Sequence, residues 1–244
     1  MKPEKLIMAS LRKADNDFDL IQNGDKIAVG ISGGKDSSVL LYSLNFYKQI
    51  SCKNFEVMGI YIDLGFGQEN MNELIDYFNN IGVEIKIVPT QIADILNENR
   101  KNDKVECSLC SRLRKGALVN ASKEYNCNKV AFGHHSDDAI ETLFMNMIHG
   151  GRIATFSPNM ELEGNDIKLI RPLIYAEEYD IARMSRNLNI PISKNVCPNE
   201  GHTQRAATKE LLKDIYKQYP QAKNNFLVMI KNTENVELWD KNKS

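Results

Sequence analysis

The chain has 244 residues, 42% of them hydrophobic and 26% charged, which is enough for one α/β domain with a buried core, with or without a helical extension. Its net charge of -1 excludes a surface that is positive throughout, but it allows a local basic face. Five irregularly spaced cysteines disfavour a secreted disulfide framework and favour metal or thiol chemistry, so we expect a protein of the reducing cytoplasm.

Strands and helices alternate along the chain. Short apolar runs predict strands at 26–31, 55–62, 83–88, 129–132 and 168–170. Apolar positions at helical spacing predict helices at 37–47, 71–80, 92–97, 111–125, from Asp137 onward, and at 177–188, 203–216 and 221–231. This order predicts a doubly wound parallel sheet of about five strands with a helical C-terminal extension. Ligands of such a sheet bind beyond the carboxyl ends of its strands.

The predicted organisation has three parts. Residues 1–25 form an N-terminal helical segment, and residues 26–190 form the α/β domain. Residues 191–244 form a helical extension, within which Pro220 separates two helices. No repeat or low-complexity segment is evident, and no apolar run approaches the roughly 18 residues of a membrane helix. We therefore expect no membrane span.

A glycine-rich turn follows the first predicted strand and opens the first helix of the α/β domain. It consists of Ser32, Gly33, Gly34, Lys35, Asp36 and Ser37. The glycines let backbone N–H groups approach an anion, the helix contributes its positive end, and the lysine adds a mobile charge. The alternative is a strand-to-helix turn without a ligand.

The turn departs from the usual P-loop pattern. Val29 stands where the first glycine of that pattern belongs, and Asp36 follows the lysine, so transfer of a γ-phosphate is disfavoured. The turn instead resembles the pyrophosphatase loop of ATP-dependent adenylating enzymes. The resemblance implies cleavage between the α and β phosphates of ATP.

Three cysteines are candidates for metal chemistry. Cys107 and Cys110 have a spacing that suits zinc, an iron-sulfur cluster or a redox dithiol, and Cys197 lies far downstream in an irregular loop. A thioredoxin-like dithiol is expected soon after a first strand, whereas this pair follows the third. Structural zinc needs a fourth ligand, which a histidine could supply; the candidates are His134, His135 and His202. A [4Fe-4S] cluster on three thiolates would keep one iron open.

The remaining cysteines are expected to have no chemical role, and the cations beside the Cys107–Cys110 pair have two possible roles. Cys52 and Cys127 are expected to fill ordinary positions near helix ends. Arg112, Arg114 and Lys115 would offset the negative charge of a thiolate-ligated cluster, or they would contact nucleic acid phosphates.

Motifs distributed over most of the chain identify a family. They are S-G-G-K-D-S at 32–37, C-S-L-C-S-R-L-R at 107–114, G-H-H-x-D-D at 133–138, Thr142-Leu143-Phe144 with Asn146-Met147, Gly150-Gly151, Ile170-Arg171-Pro172-Leu173, and Cys197 followed by Gln204-Arg205. With these residues the chain closely resembles the tRNA 2-thiocytidine synthetase family (TtcA-like enzymes). The segment at 63–69 departs from the family's form, which leaves the choice of base more open than the type of reaction.

The resemblance implies an adenine nucleotide alpha hydrolase-like fold and an ATP- and Mg²⁺-dependent enzyme. It implies a [4Fe-4S] cluster on Cys107, Cys110 and Cys197, and 2-thiolation of cytidine 32 in a tRNA anticodon loop. The turn and Gly133 would bind ATP, and Lys35 and Asp137 would be catalytic. Hydrosulfide on the open iron would attack the adenylated base.

Each of the remaining candidate site residues could instead have a purely structural role. Asp137 and Asp138 begin a predicted helix together with Ser136, where such residues also serve as N-caps. His134 and His135 are expected to pack or to form hydrogen bonds in their turn. Arg112, Arg114, Arg205 and Lys209 are the candidate tRNA contacts, although a basic helix face is often merely solvated.

The expected partners are tRNA and a sulfur donor, either sulfide or a cysteine desulfurase. The oligomeric state stays open, with a homodimer as one option. Two other functions fit part of the pattern: thiolation of a tRNA uridine by a related cluster enzyme, and an ATP-binding module with structural zinc. Lysidine synthetase shares the ATP turn but needs no cluster.

Overall fold

The structure is a computed structural model that describes residues 2–66, 71–100, 107–162, 164, 166–193, 204–232, 234 and 238–239. The strands are β1 (Lys26–Ile31), β2 (Glu56–Asp63), β3 (Ile85–Pro89), β4 (Lys129–Ala131), β5 (Asn159–Glu161) and β6 (Lys168–Ile170). The helices are α1 (Pro3–Phe18), α2 (Lys35–Ile50), α3 (Asn72–Asn80), α4 (Ile92–Glu98), α5 (Cys107–Glu124), α6 (Ser136–Gly150), α7 (Glu178–Asn187), α8 (Gln204–Gln218) and α9 (Ala222–Lys231).

The strands form one sheet in the order β3-β2-β1-β4-β6-β5. The pairs among β1, β2, β3, β4 and β6 are parallel, and β5 pairs antiparallel with β6 at one edge. The predicted fold class is confirmed, with one additional strand. The three residues of β5 are half-buried or exposed, so this strand lacks the apolar run by which the other strands are recognised.

The order of the strands places a crevice beside the phosphate turn. From β1 the chain builds outward through β2 and β3, and it then returns to the other side of β1 as β4. The direction of winding therefore reverses between β1 and β4. In an open α/β sheet this reversal opens a ligand crevice at the carboxyl ends of the two strands. The turn that follows β1 lies at this edge.

Helix α5 carries the Cys-x-x-Cys pair to the same edge of the sheet. It packs on an apolar core that includes Ile60 of β2 and Val130 of β4, together with its own Leu118 and Val119. Because the C-terminal end of α5 leads into the start of β4, its N-terminal end lies toward the carboxyl ends of the parallel strands. The helix thus begins, with Cys107, on the side of the sheet where the turn lies.

The chain divides into two compact units. The first comprises Met1–Ser136 and Ser157–Gly201 and contains the whole sheet. The second comprises Asp137–Phe156 and His202–Ser244, and it contains α8, α9 and all of α6 except its first residue. Within the second unit, the ring of Phe226 packs edge-on against that of Phe144, with their centroids 4.9 Å apart. Among the described helices, none combines the length and the apolar character that crossing a membrane requires.

Candidate nucleotide-binding site

The phosphate turn is shaped by two serine hydroxyls and one left-handed glycine. Gly33 has φ +80°, a conformation that residues with a side chain rarely adopt. The Ser37 hydroxyl accepts a hydrogen bond from the Ser32 amide at 3.1 Å and lies 3.2 Å from the Gly34 carbonyl. The Ser32 hydroxyl accepts a bond from the Gly34 amide at 3.3 Å. The turn is therefore closed by its own side chains, directly before the start of α2.

Gly133 brings the end of β4 against this turn. A Cβ atom at Gly133 would lie 2.8 Å from the Asp36 carbonyl carbon and 2.9 Å from the Ser37 amide nitrogen. Real Cβ contacts do not come this close, so only glycine fits here. Gly133 is a predicted residue of the nucleotide site, and the structure brings it into contact with the turn.

Lys35 is held by two carboxylates. Its ammonium lies 3.1 and 3.2 Å from the two carboxylate oxygens of Asp36, and 3.2 Å from Oε1 of Glu178 at the start of α7. Burial on its own lowers the pKa of Lys35, but the two carboxylates outweigh it, and the pKa is raised above its ordinary value. Lys35 therefore carries a full positive charge at physiological pH. Glu178 is not among the residues predicted from the sequence, because it follows the Ile170–Leu173 motif but belongs to no nucleotide-binding pattern.

The two histidines of the turn after β4 have protein partners. His135 is buried, and its Nε2 lies 3.8 Å from Asp36 Oδ1. Nδ1 of His134 accepts a hydrogen bond at 3.3 Å from Nε of Arg171, which follows β6. Arg171 is buried and also donates to the Ser157 carbonyl. Burial lowers the pKa of Arg171 to about 10, so its guanidinium remains charged at neutral pH.

The candidate metal ligands are described only in part. Cys107 is the first residue of α5, but its side chain and all of Cys197 lie outside the described residues. Cys110 is half-buried and packs beside the apolar core. Within the described ranges, no group of three or more His, Cys, Asp or Glu side chains is arranged to hold a metal ion. The ligand assignment therefore stays a prediction.

One contact connects the turn with the segment that leads to Cys197. The amide of Ser193 donates a 3.0 Å hydrogen bond to the Gly33 carbonyl. Ser193 is the last described residue before the third cysteine, four positions further along the chain.

The second unit contains the acidic residues at the start of α6. Asp137 Oδ1 lies 2.7 Å from the ammonium of Lys223 on α9. Asp138 and Glu141 both accept hydrogen bonds from Arg205 on α8, at 2.9 and 3.2 Å. Arg205 is a predicted tRNA contact, whereas its guanidinium in the structure joins α8 to α6. The roles of Asp137 and Arg205 stay predictions, and each has a structural partner.

The other candidate cations are distributed over both units. In the first, Arg112 is exposed on α5 and Arg114 is half-buried; in the second, Lys209 is half-buried on α8. The pKa of Lys115 is lowered by its burial and by the nearby charge of Arg171. The free thiol of Cys127 is buried, and burial raises its pKa, which agrees with an ordinary packing position.

The strand, the closed turn and the helix at the reversal of strand order define an ATP-binding protein of the PP-loop class. The sequence matches the PP-loop domain family over residues 4–210. It is 37% identical over 240 residues to the tRNA-cytidine(32) 2-sulfurtransferase of Geotalea daltonii, covering 97% of this chain and 95% of that protein. It is 39% identical over 223 residues to the enzyme of the same name from Idiomarina loihiensis, covering 90% of this chain and 73% of that protein.

The chain belongs to the tRNA-cytidine(32) 2-sulfurtransferase family of PP-loop enzymes. The family predicted from the motifs is thereby confirmed. The structure is also similar to that of the U34-tRNA thiolase NcsA from Methanococcus maripaludis with its [4Fe-4S] cluster. In that comparison the TM-score is 0.75 and the identity 26%, over 98% of this chain and 82% of that one.

Proposed function

We propose that the protein catalyses the ATP-dependent 2-thiolation of cytidine 32 in a tRNA anticodon loop. The observation that carries this proposal is the nearly full-length match to relatives that bear the name of this activity. The phosphate turn beside the crevice between β1 and β4 supports an ATP-dependent reaction. A tRNA substrate and reduced cysteines both fit the cytoplasm.

ATP activates the oxygen that is to be replaced. In the proposed first step, the C2 oxygen of the base attacks the α-phosphorus of ATP, and pyrophosphate leaves. Backbone amides of Gly33 and Gly34, the positive end of α2 and the Lys35 ammonium would bind the phosphates and stabilise the charge that develops on them. Mg²⁺ would accompany the triphosphate, and Asp36 offers a carboxylate within the turn.

Sulfur then replaces the activated oxygen. Hydrosulfide adds to C2, and AMP leaves with the former C2 oxygen, so no net oxidation or reduction occurs. Cys107, Cys110 and Cys197 would hold the [4Fe-4S] cluster, and the half-buried Cys110 in the first turn of α5 offers a thiolate donor for it. With three protein thiolates, such a cluster supplies one iron position at which a sulfur nucleophile can bind. Sulfide or a cysteine desulfurase would be the donor.

Asp137 is the proposed residue that orients the acceptor base. It is the second residue of α6, and its carboxylate is paired with Lys223 at 2.7 Å. A carboxylate here can accept a hydrogen bond from the exocyclic amine of cytosine. The bases of a single-stranded loop can be unstacked at low cost, which makes C2 accessible.

A second candidate function is 2-thiolation of a tRNA uridine. The similarity in fold to a U34-tRNA thiolase favours it. The same activation and replacement of the C2 oxygen would apply, and only recognition of the base would differ. Nucleoside analysis of tRNA from a deletion strain distinguishes the two, because either 2-thiocytidine or 2-thiouridine disappears.

The decisive experiment is an anaerobic assay with ATP, sulfide and unmodified tRNA, read by mass spectrometry of nucleosides. We expect 2-thiocytidine at position 32 and about four irons per chain. Cys110→Ser should abolish both thiolation and iron binding, because it removes a thiolate ligand. The matched control, Cys52→Ser, changes an exposed cysteine and should leave both intact. One zinc per chain and no turnover would instead support a structural module.

A further inference from the structure

We propose that Glu178 is a positioning residue that holds the Lys35 ammonium beside the phosphate turn, so that one lysine N–H is directed to the phosphates of ATP. This inference rests on the proposed function, because it assigns a new residue to the same ATP site. Glu178 is not part of any sequence pattern for phosphate binding. It enters the site from α7, 143 residues along the chain from Lys35.

The contact between the two side chains is direct and partly shielded from water. Glu178 Oε1 lies 3.2 Å from Lys35 Nζ, and the side chains are 27% and 30% exposed. Partial burial strengthens a charge-assisted hydrogen bond relative to one that is fully exposed. Lys35 has no carboxylate partner other than Asp36 and Glu178 within the described part of the chain.

The position of Glu178 is itself fixed by the turn after β4. The Ala176 carbonyl, two residues before Glu178, accepts hydrogen bonds from the Ser136 amide at 3.0 Å and from the Ser136 hydroxyl at 2.7 Å. Helix α7 also packs against α2, the helix that Lys35 begins. The backbone that carries Glu178 is thus held by contacts that do not involve the lysine side chain.

Two restraints on one ammonium determine the direction of its third proton. A lysine ammonium has three N–H donors, and here Asp36 and Glu178 accept from it. A free lysine side chain would lose much of its rotamer freedom when it engages a phosphate. In this protein most of that ordering is already present before ATP arrives, which favours binding.

Repulsion between Glu178 and the phosphates and positioning of Lys35 by Glu178 predict opposite changes in ATP affinity when Glu178 is removed. If Glu178 only repelled the phosphates, its removal would strengthen ATP binding. If it positions Lys35, Glu178→Ala should weaken ATP binding, and we expect about a tenfold rise in the dissociation constant. Glu178→Gln keeps an oxygen acceptor and should stay within about threefold of the wild type.

The measurement is calorimetric titration of the full-length protein with ATP in the absence of tRNA and sulfide. Because this readout needs no thiolation, it separates a failure of this inference from a failure of the proposed function. The matched control is Glu177→Gln, at the exposed N-cap residue directly before Glu178, which should bind ATP like the wild type. Far-ultraviolet circular dichroism verifies that each variant is folded.

A double-mutant cycle with Lys35→Ala completes the test. If Glu178 acts through the lysine, adding Glu178→Ala to Lys35→Ala should cause no further loss of affinity. Tighter or unchanged ATP binding in Glu178→Ala overturns the proposal. So do equal losses in the Ala and Gln variants, or additive losses in the cycle, because each would indicate a role that does not depend on the lysine contact.

Discussion

At the scale of single residues, the close approach of two backbone segments in the candidate site requires a residue without a side chain. Gly133 allows the backbone after β4 to touch the backbone at Asp36 and Ser37. The contact joins the two strand ends that border the crevice, so the shape of the phosphate turn depends on both.

Gly133→Ala is expected to disturb the turn rather than only the strand that precedes Gly133. The added methyl group must displace backbone atoms, since its nearest neighbours would be 2.8 and 2.9 Å away. We expect a loss of stability of about 1–3 kcal/mol and at least about tenfold weaker ATP binding. Thermal unfolding and calorimetric titration measure the two effects.

The matched control for this change is Gly116→Ala in α5. Nothing lies within 4 Å of a Cβ atom at that position, and the residue is helical, so the substitution should be neutral or slightly stabilising. Equal ATP affinities for the Gly133 variant and the wild type would contradict the contact described here.

At the scale of elements, the second unit depends on ionic contacts between helices. Arg205 joins α8 to α6 through two carboxylates, one of which belongs to the buried Glu141. Removing a guanidinium that neutralises a buried carboxylate costs more than removing one at the surface. The contact therefore provides a structural reason for the Gln204-Arg205 motif, independent of any contact with tRNA.

Arg205→Ala is expected to destabilise α8 by about 1–3 kcal/mol. Hydrogen-exchange mass spectrometry should show reduced protection of α8 and of the first turns of α6. Lys217→Ala, at the exposed end of the same helix, is the control and should change protection little. If Arg205 serves only tRNA, its loss would leave protection unchanged and weaken tRNA binding alone.

At the scale of the whole molecule, charge limits how tRNA can be bound. A chain with a net charge of -1 cannot attract RNA uniformly, so binding must depend on a few local cations. The proposed contacts are such local cations, Arg112 and Arg114 on α5 of the first unit and Arg205 and Lys209 on α8 of the second.

The salt dependence of tRNA binding measures these contacts. We expect Arg112→Ala and Lys209→Ala each to weaken binding and to reduce the slope of log K against log salt by about 0.7, because each phosphate contact releases condensed counterions. The control is Lys5→Ala, an exposed cation on α1. Slopes that are identical in all variants would exclude both residues from the interface.

Much of the fold could be predicted from local patterns of apolar residues in the sequence. The apolar runs predicted five strands near their observed positions, and the helix periodicity of α6 and α9 was plain. The short strand β5 was not predicted, because its three residues owe their conformation to pairing with β6 at the sheet edge and not to their own apolar pattern. The first helix after the turn also begins earlier, at Lys35 rather than residue 37.

The sequence by itself determined the alternation of strands and helices, the phosphate turn and the family, because side-chain periodicity and turn chemistry act over a few neighbouring residues. Only the tertiary structure decided that Gly133 and Glu178 meet that turn, and that Arg205 pairs with carboxylates of α6. These contacts join residues far apart in the chain. They depend on the order of strands in the sheet and on the packing of helices, which no local pattern encodes.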